Sequence, residues 1–429
     1  MPTNSFIVKN VLLYTGHEFQ PNGFVVVRDG TIATVGIGDP PAESGLAVIS
    51  KPDHTLIPGL IDSHIHGLEG DFASLEQPLR FGVTTVCDLH NAPLYLEKLA
   101  KAAQDPNTKG KYADFKHVGL GAMVKGGWPE PVIRKEAQSH GLPEEVIDTI
   151  FETWPKLTAA SEAAPYVAEQ VARGASMIKL FQEEGSTMSM ELPVPRLEIQ
   201  QAVVKAAHAH GLSAIGHALS YQGAMILLEA GVDGLTHMFL EKAPDDEWIQ
   251  IMKQKSVHCN PTLACSLSLK GQADAQQRRW TQDPFAQKML LKREPKGNIG
   301  LAAGCHHADA GHALENAKAL YRAGVPLIVG SDAAGTEIGC QYGLGVHMEM
   351  HRMIHEVGMK VEDVLRGATS LTAERFGFKD RGSIAEGALA DLVLVEGDVR
   401  ESLSDKENLC LSIKGVWRGG VFAEAYRYL

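Results

Sequence analysis

The chain has 429 residues, 44% of them hydrophobic, and a formal charge of −12. That length supports one large core beside a smaller one, and the acidic balance excludes an electrostatic nucleic-acid binder, which needs a basic excess to displace counterions from phosphates. Six cysteines, Cys87, Cys259, Cys265, Cys305, Cys340 and Cys410, have neither paired spacing nor the density of a disulfide-stapled secreted domain, so they read as reduced thiols.

The opening run MPTNSFIVKNVLLYTGHEF lacks a basic segment followed by an apolar core, and no apolar run reaches membrane-spanning length. The expectation is a soluble cytoplasmic protein with no membrane partner. SFIVKNVLLYTG and GFVVVRDGTIATVG are β-branched runs punctuated by glycine, with Asp29-Gly30 marking a tight hairpin, and they predict strands of a small sheet.

From about Pro58 short apolar runs alternate with segments of helical period. Eight runs read as strands: LIPGLIDSHIH, GVTTVCDLH, KHVGLGAMVK, ASMIKLF, LSAIGHA, GLTHM, VHCNPTL and VPLIVGSDA. Helices are predicted between them, among others over Pro195–His210, Tyr221–Ala230 and His312–Ala323, each ending near a capping glycine. Eight strands alternating with helices predict an α/β fold, a (β/α)8 TIM barrel over residues 58–381. The closing run GSIAEGALADLVLVEGD and a strand over Ile413–Phe422 resemble the opening runs. Both chain ends, 1–57 and 382–429, are therefore expected to pair as a small β-sandwich domain.

His64 and His66 stand two apart in IDSHIHG, and a strand sends residues i and i+2 to one face, where two imidazoles can meet one ion. Later apolar runs end on Lys179, His217, His237 and Asp332. In a barrel such positions converge on the C-terminal face, where active sites of this architecture are assembled. His90 and Lys125 end the second and third runs and are expected to orient a substrate carbonyl or carboxylate. The stretch with His306, His307, Asp309 and His312 reads as a solvated loop rather than a metal site. The long segment Ser266–Gly304 reads as solvated helices, with arginines that could instead serve a substrate carboxylate.

A pair of histidines on strand one, a lysine on strand four, histidines on strands five and six and an aspartate on strand eight resemble the binuclear pattern of the amidohydrolase superfamily. IPGLID, GVTT and GSIAEGALADLVL share in that resemblance, which spans nearly the whole chain. In detail it is similar to the Xaa-Pro dipeptidase, imidazolonepropionase-like and ochratoxin-amidase branches. The resemblance implies two divalent metal ions, one held by His64, His66 and Asp332 and the other by His217 and His237. It also implies that carbon dioxide carboxylates Lys179 into a bridging ligand, and that a hydroxide between the metals attacks the substrate while Asp332 shuttles the proton. Imidazole and carboxylate donors suit zinc. The implied substrate is a small molecule with an amide bond, such as an N-acyl amino acid or a dipeptide, and the implied assembly is a homo-oligomer.

Other readings compete at this level. Lys179 could be a buried lysine paired with Glu183 or Glu184, a mononuclear deaminase or cyclic-amidine or lactam hydrolase would need one metal and no carboxylated lysine, and a scaffold would have lost its ligands. A metal count separates the three.

Overall fold

The computed structural model describes every residue except 1–3, 43–44, 140, 295, 336–338 and 428–429. Five strands open the chain: β1 (Phe6–Tyr14), β2 (Phe19–Arg28), β3 (Thr31–Ile37), β4 (Ala47–Ser50) and β5 (His54–Pro58). Seven follow as the parallel set: β6 (Leu60–Ile65), β7 (Val83–Asp88), β8 (Asp114–His117), β9 (Ile178–Phe181), β10 (Ala214–His217), β11 (Gly234–Thr236) and β12 (His258–Asn260). Three more close it: β13 (Leu392–Glu396), β14 (Ile413–Arg418) and β15 (Val421–Phe422).

Both chain ends share one eight-stranded sheet in the order β15-β14-β13-β5-β1-β2-β3, with β4 also on β1. Asp29 (φ 49°) and Gly30 (φ 82°) make the left-handed turn between β2 and β3 that their sequence demands. The sheet curls over its own apolar face, because Phe6 on β1 and Trp417 on β14 stack with centroids 5.5 Å apart although β5 and β13 lie between them in the ladder. The strand expected over Ile413–Phe422 is instead a hairpin, since Gly419 (φ 51°) and Gly420 (φ 73°) turn the chain back.

The parallel strands form two ladders, β6-β7-β8 and β9-β10-β11-β12. Single bridges join them, Ala122 to Leu180 on one side, and Cys259 to Leu327 and Ile65 to Ala333 on the other. The eighth predicted run thus touches both neighbours without becoming a regular strand. Its ladder breaks at Gly330, where Ser63 Oγ and Asn260 Nδ2 occupy the space a Cβ would need, 2.4 and 2.2 Å away, and at Asp332, whose φ is 53°. The first run also divides. IP closes β5 in the end sheet, while LIDSHI forms β6, and Gly59 links them against Thr84, whose Oγ1 would lie 2.1 Å from a Cβ.

Two of the predicted helices begin a little away from their expected starts, Leu197–Ala209 and Ala310–Ala323, the latter capped by Asp309, while Tyr221–Ala230 is as expected. Ser266–Gly304 contains parts or all of three short helices, Leu263–Leu269, Asp274–Thr281 and Pro284–Met289. Among the described residues no helix is long and apolar enough to cross a membrane. The end sheet is pinned to β8 by Asp114, which accepts from Arg381 Nη1 at 2.5 Å and Arg418 Nη2 at 2.9 Å.

Candidate active site

Alternation along β6 turns His64 and His66 to the same side, with their Nε2 atoms 3.2 Å apart. Both face Asp332 Oδ1, at 3.1 and 3.2 Å. The left-handed backbone of Asp332 aims its carboxylate back at β6, and Asp62 holds the two segments together by accepting from Ser331 N at 2.9 Å, Ser331 Oγ at 2.5 Å and His64 N at 3.2 Å. Such φ values in a non-glycine residue cost energy and persist where the surroundings enforce them. His237 (φ 68°) and Thr262 (φ 47°) share that conformation, so three strained residues meet at this site.

His237 follows β11, its ring 5.1 Å from that of His64 and 4.7 Å from that of His217, the last residue of β10. Lys179, in β9, is 1% exposed and donates to Thr236 Oγ1 at 2.8 Å. Its charge acts on His64, His66, His90, His217 and His237. The ion pair with Glu183 or Glu184 is not what the fold forms: Glu183 accepts from Gly185 N and Leu219 N and faces His217 Nε2 at 3.6 Å. The six polar residues at the run ends are therefore one cluster.

Burial dominates its electrostatics. It pushes the Lys179 amine down to about 7 and holds His64, His217 and His237 well below the ordinary imidazole value. Asp332 goes the other way: burial opposes its charge, but His64, His237 and His66 outweigh it and hold the carboxyl well below its usual range.

His64, His66 and Asp332 offer ligand atoms that all lie within 4.8 Å of one another. Two imidazole nitrogens and one carboxylate oxygen pointed at a common spot repel unless a cation sits between them, so this donor set fits a metal ion. The outer contacts agree: the His90 carbonyl lies 3.2 Å from His66 Nδ1, which puts a proton there and turns Nε2 toward Asp332, and Thr262 Oγ1 holds His237 Nδ1 at 2.7 Å. His217 Nε2 is buried with no hydrogen-bond partner, as a ligand atom awaiting a cation is.

His90 accepts from Gly121 N at Nδ1 (2.9 Å), so its neutral ring carries the proton on Nε2, which is buried and unpartnered. It lines a cavity of about 720 Å³ that also meets Asn91, Trp154, Ala334 and Tyr342, the last donating to the His66 carbonyl at 2.6 Å. Lys125 has a different location. It is exposed in the turn Val124–Gly127, because regular pairing of the third run stops at His117, and the same loop instead brings Trp128 flat against His217, with centroids 5.5 Å apart. His306 and His307 are exposed in a turn, as a loop reading requires, whereas Asp309 caps the helix Ala310–Ala323 and His312 lies inside it, bonded to the Leu240 carbonyl.

Sequence reasoning missed several supporting residues. Asp88 is fully buried and accepts from Gly67 N, His90 N and Asn91 Nδ2, organising both histidine loops. Its place beside His90 in CDLHN was the available signal. Thr262 and Cys265 gave none, since both act across the fold. A second cleft of about 640 Å³ lies on the end sheet; neither it nor the 720 Å³ cavity is lined by the six clustered residues, but the cavity borders them through His90 and Tyr342, both bonded to His66.

A profile of the amidohydrolase family matches residues 55–421. The chain belongs to the amidohydrolase family. It is 22% identical over 415 residues to an N-acetylglucosamine-6-phosphate deacetylase of Bacillus subtilis (strain 168), covering 92% of this chain and 94% of that relative. Among solved structures it resembles a Xaa-Pro dipeptidase with bound methionine (TM-score 0.72, 21% identity, 98% of this chain and 100% of that one). It also resembles phenylurea hydrolase B (TM-score 0.76, 21% identity, 98% and 97%). These likenesses show a shared α/β barrel fold, and family membership makes this amidohydrolase a hydrolase of carbon–nitrogen bonds.

Proposed function

We propose that this amidohydrolase cleaves the amide bond of a small substrate with two divalent metal ions, zinc by donor type, one held by His64, His66 and Asp332 and the other by His217 and His237. Lys179, once carboxylated, would supply an anionic ligand to them. On this reading residues 58–381 are a (β/α)8 barrel, which the isolated Ile65–Ala333 bridge supports, and 1–57 with 382–429 are its small β companion, built on one curled sheet. When bound, the metals supply Lewis acidity that polarises the amide carbonyl and lowers the pKa of water toward neutrality.

The observation that carries this reading is the meeting of two histidine nitrogens and Asp332 around one point, beside an amine whose pKa burial lowers to about 7, so that a neutral fraction is present at neutral pH. Only a neutral amine adds carbon dioxide: its lone pair forms the N–C bond and one N–H proton leaves, turning a donor without acceptor capacity into an anionic ligand. Asp332 takes the proton of the attacking water and returns it to the leaving nitrogen. The Nε2–H of His90 donates to the carbonyl oxygen as negative charge develops there.

Elemental analysis of the purified, unchelated chain tests the proposal. Two ions per chain with amide hydrolysis support it. One ion would favour the mononuclear deaminase or cyclic-amidine chemistry, and none, with no activity on adding metal, would leave a scaffold.

A further inference from the structure

The 720 Å³ cavity has two unlike features, an apolar wall and an excess of negative charge. Of seven large apolar side chains that stand exposed among the described residues, Leu142 (36%), Val146 (47%) and Ile150 (39%) are spaced four residues apart along the helix Glu144–Glu152 and its lead-in. Leu142 and Ile150 line the cavity, joined there by Ile133 and Ala137 of the neighbouring helix Glu130–Ser139. Trp154 continues this wall inward until its ring meets that of His90, edge to face at 4.9 Å. A row of large apolar groups left facing water beside a substrate site marks a surface that a ligand covers.

The charged lining is Glu69, Asp71, Glu136 and Glu294 against Arg293 and Lys296, four acids to two cations among the described residues. Arg293 is already committed, both its terminal nitrogens being paired with the two carboxylate oxygens of Asp71, and Lys296 is engaged, as are Glu69 and Glu294, which leaves Glu136 at the exposed rim to set the sign there. A substrate carboxylate entering this space would meet net negative charge and no guanidinium without a partner.

We infer that the substrate is an uncharged amide carrying a bulky apolar group, aryl or branched alkyl, and that a free carboxylate on it is selected against. The carbonyl sits at His90 and the apolar group lies against Trp154, Leu142 and Ile150. This narrows the N-acyl amino acids and dipeptides suggested by resemblance to their neutral counterparts, and it rests on the hydrolase reading of the His64–Asp332 cluster.

The test uses two compounds of one skeleton, N-benzoyl-2-phenylethylamine and N-benzoylphenylalanine, which differ only in the carboxylate. Binding to the metal-loaded, full-length protein is measured by calorimetry, and turnover by chromatography of the released amine. The neutral compound is expected to bind at least about ten-fold tighter, the exchange Ile150→Asp to weaken it about ten-fold or more, and Glu136→Lys at the exposed rim to narrow the gap between the two. Equal or tighter binding of the carboxylate compound, no measurable binding of either, or indifference to Ile150→Asp overturns the inference. Tight binding of the neutral compound without release of amine upholds the ligand class and removes the hydrolase reading instead.

Discussion

The thiol of Cys265 donates a hydrogen bond to Asp332, Sγ to Oδ2 at 3.1 Å, on the side of the carboxylate away from the His64 and His66 contacts at Oδ1. Cys265 lies in a helix whose first free N–H groups, those of Leu263 and Ala264, are satisfied by the buried carboxylate of Glu349. The residue just before that helix is Thr262, which holds His237. One short segment after β12 thus positions both a proton carrier and a histidine.

Removing that donor by Cys265→Ala should cost about 1 kcal/mol of transition-state stabilisation, roughly five-fold in kcat, with KM little changed. Cys265→Ser should recover most of the loss, because the hydroxyl keeps the donor. A steady-state comparison of the three proteins at fixed metal content checks this, and equal losses for Ala and Ser would reduce Cys265 to a packing residue.

Asp332→Asn keeps an oxygen that can face His64 and His66 but cannot carry a proton. The variant should retain most of its metal and lose about 10³-fold or more in kcat. Metal content by elemental analysis and turnover by amine release give the two readings, and a variant active within ten-fold of the parent would rule out the shuttle.

Lys179→Ala should lose metal and activity together, since the side chain then offers no group to carboxylate. Formate or acetate should restore part of both by occupying the vacated space with a carboxylate. Rescue of metal binding alone would separate the ligand role from the chemical step.

Asp114 makes an acid-sensitive anchor. Burial raises its pKa, but Arg381, Lys116 and Arg418 outweigh that and bring it down to about 2. Because the folded value lies below the unfolded one, the stabilisation is fully present above about pH 4 and is lost as pH falls toward 2; it amounts to about 2 kcal/mol. Asp391, raised by burial, contributes in the opposite sense. Urea unfolding at pH 6 and pH 3 should therefore show Asp114→Asn clearly weaker than the parent at pH 6, with the gap shrinking at pH 3.

What the sequence disclosed depended on whether a residue's role is written into its own neighbourhood. His64 and His66 were legible through the two-residue alternation of a strand, and His217, His237 and Asp332 because each ends an apolar run. Lys125 was placed by the same rule and the rule failed, because pairing of its strand stops at His117 and the loop turns the lysine outward. The hairpin after Ile413 was hidden because β-branched and aromatic residues stand on both sides of its turn, although Gly419-Gly420 was the visible cue. Cys265, Thr262 and Glu349 could not be found, since their partners stand 67, 25 and 85–86 residues away.

Gly59 is the single residue between β5, which is bonded along its length to β13 near the other end of the chain, and β6, which carries His64 and leads directly into His66. The sheet made from the chain ends is therefore a mooring for the metal strand, not an appendage. Thr84 fills the space beside Gly59 where a Cβ would stand, so the joint between the end sheet and β6 admits no larger residue. Cutting the chain at residue 58 would unfasten β6 at its root.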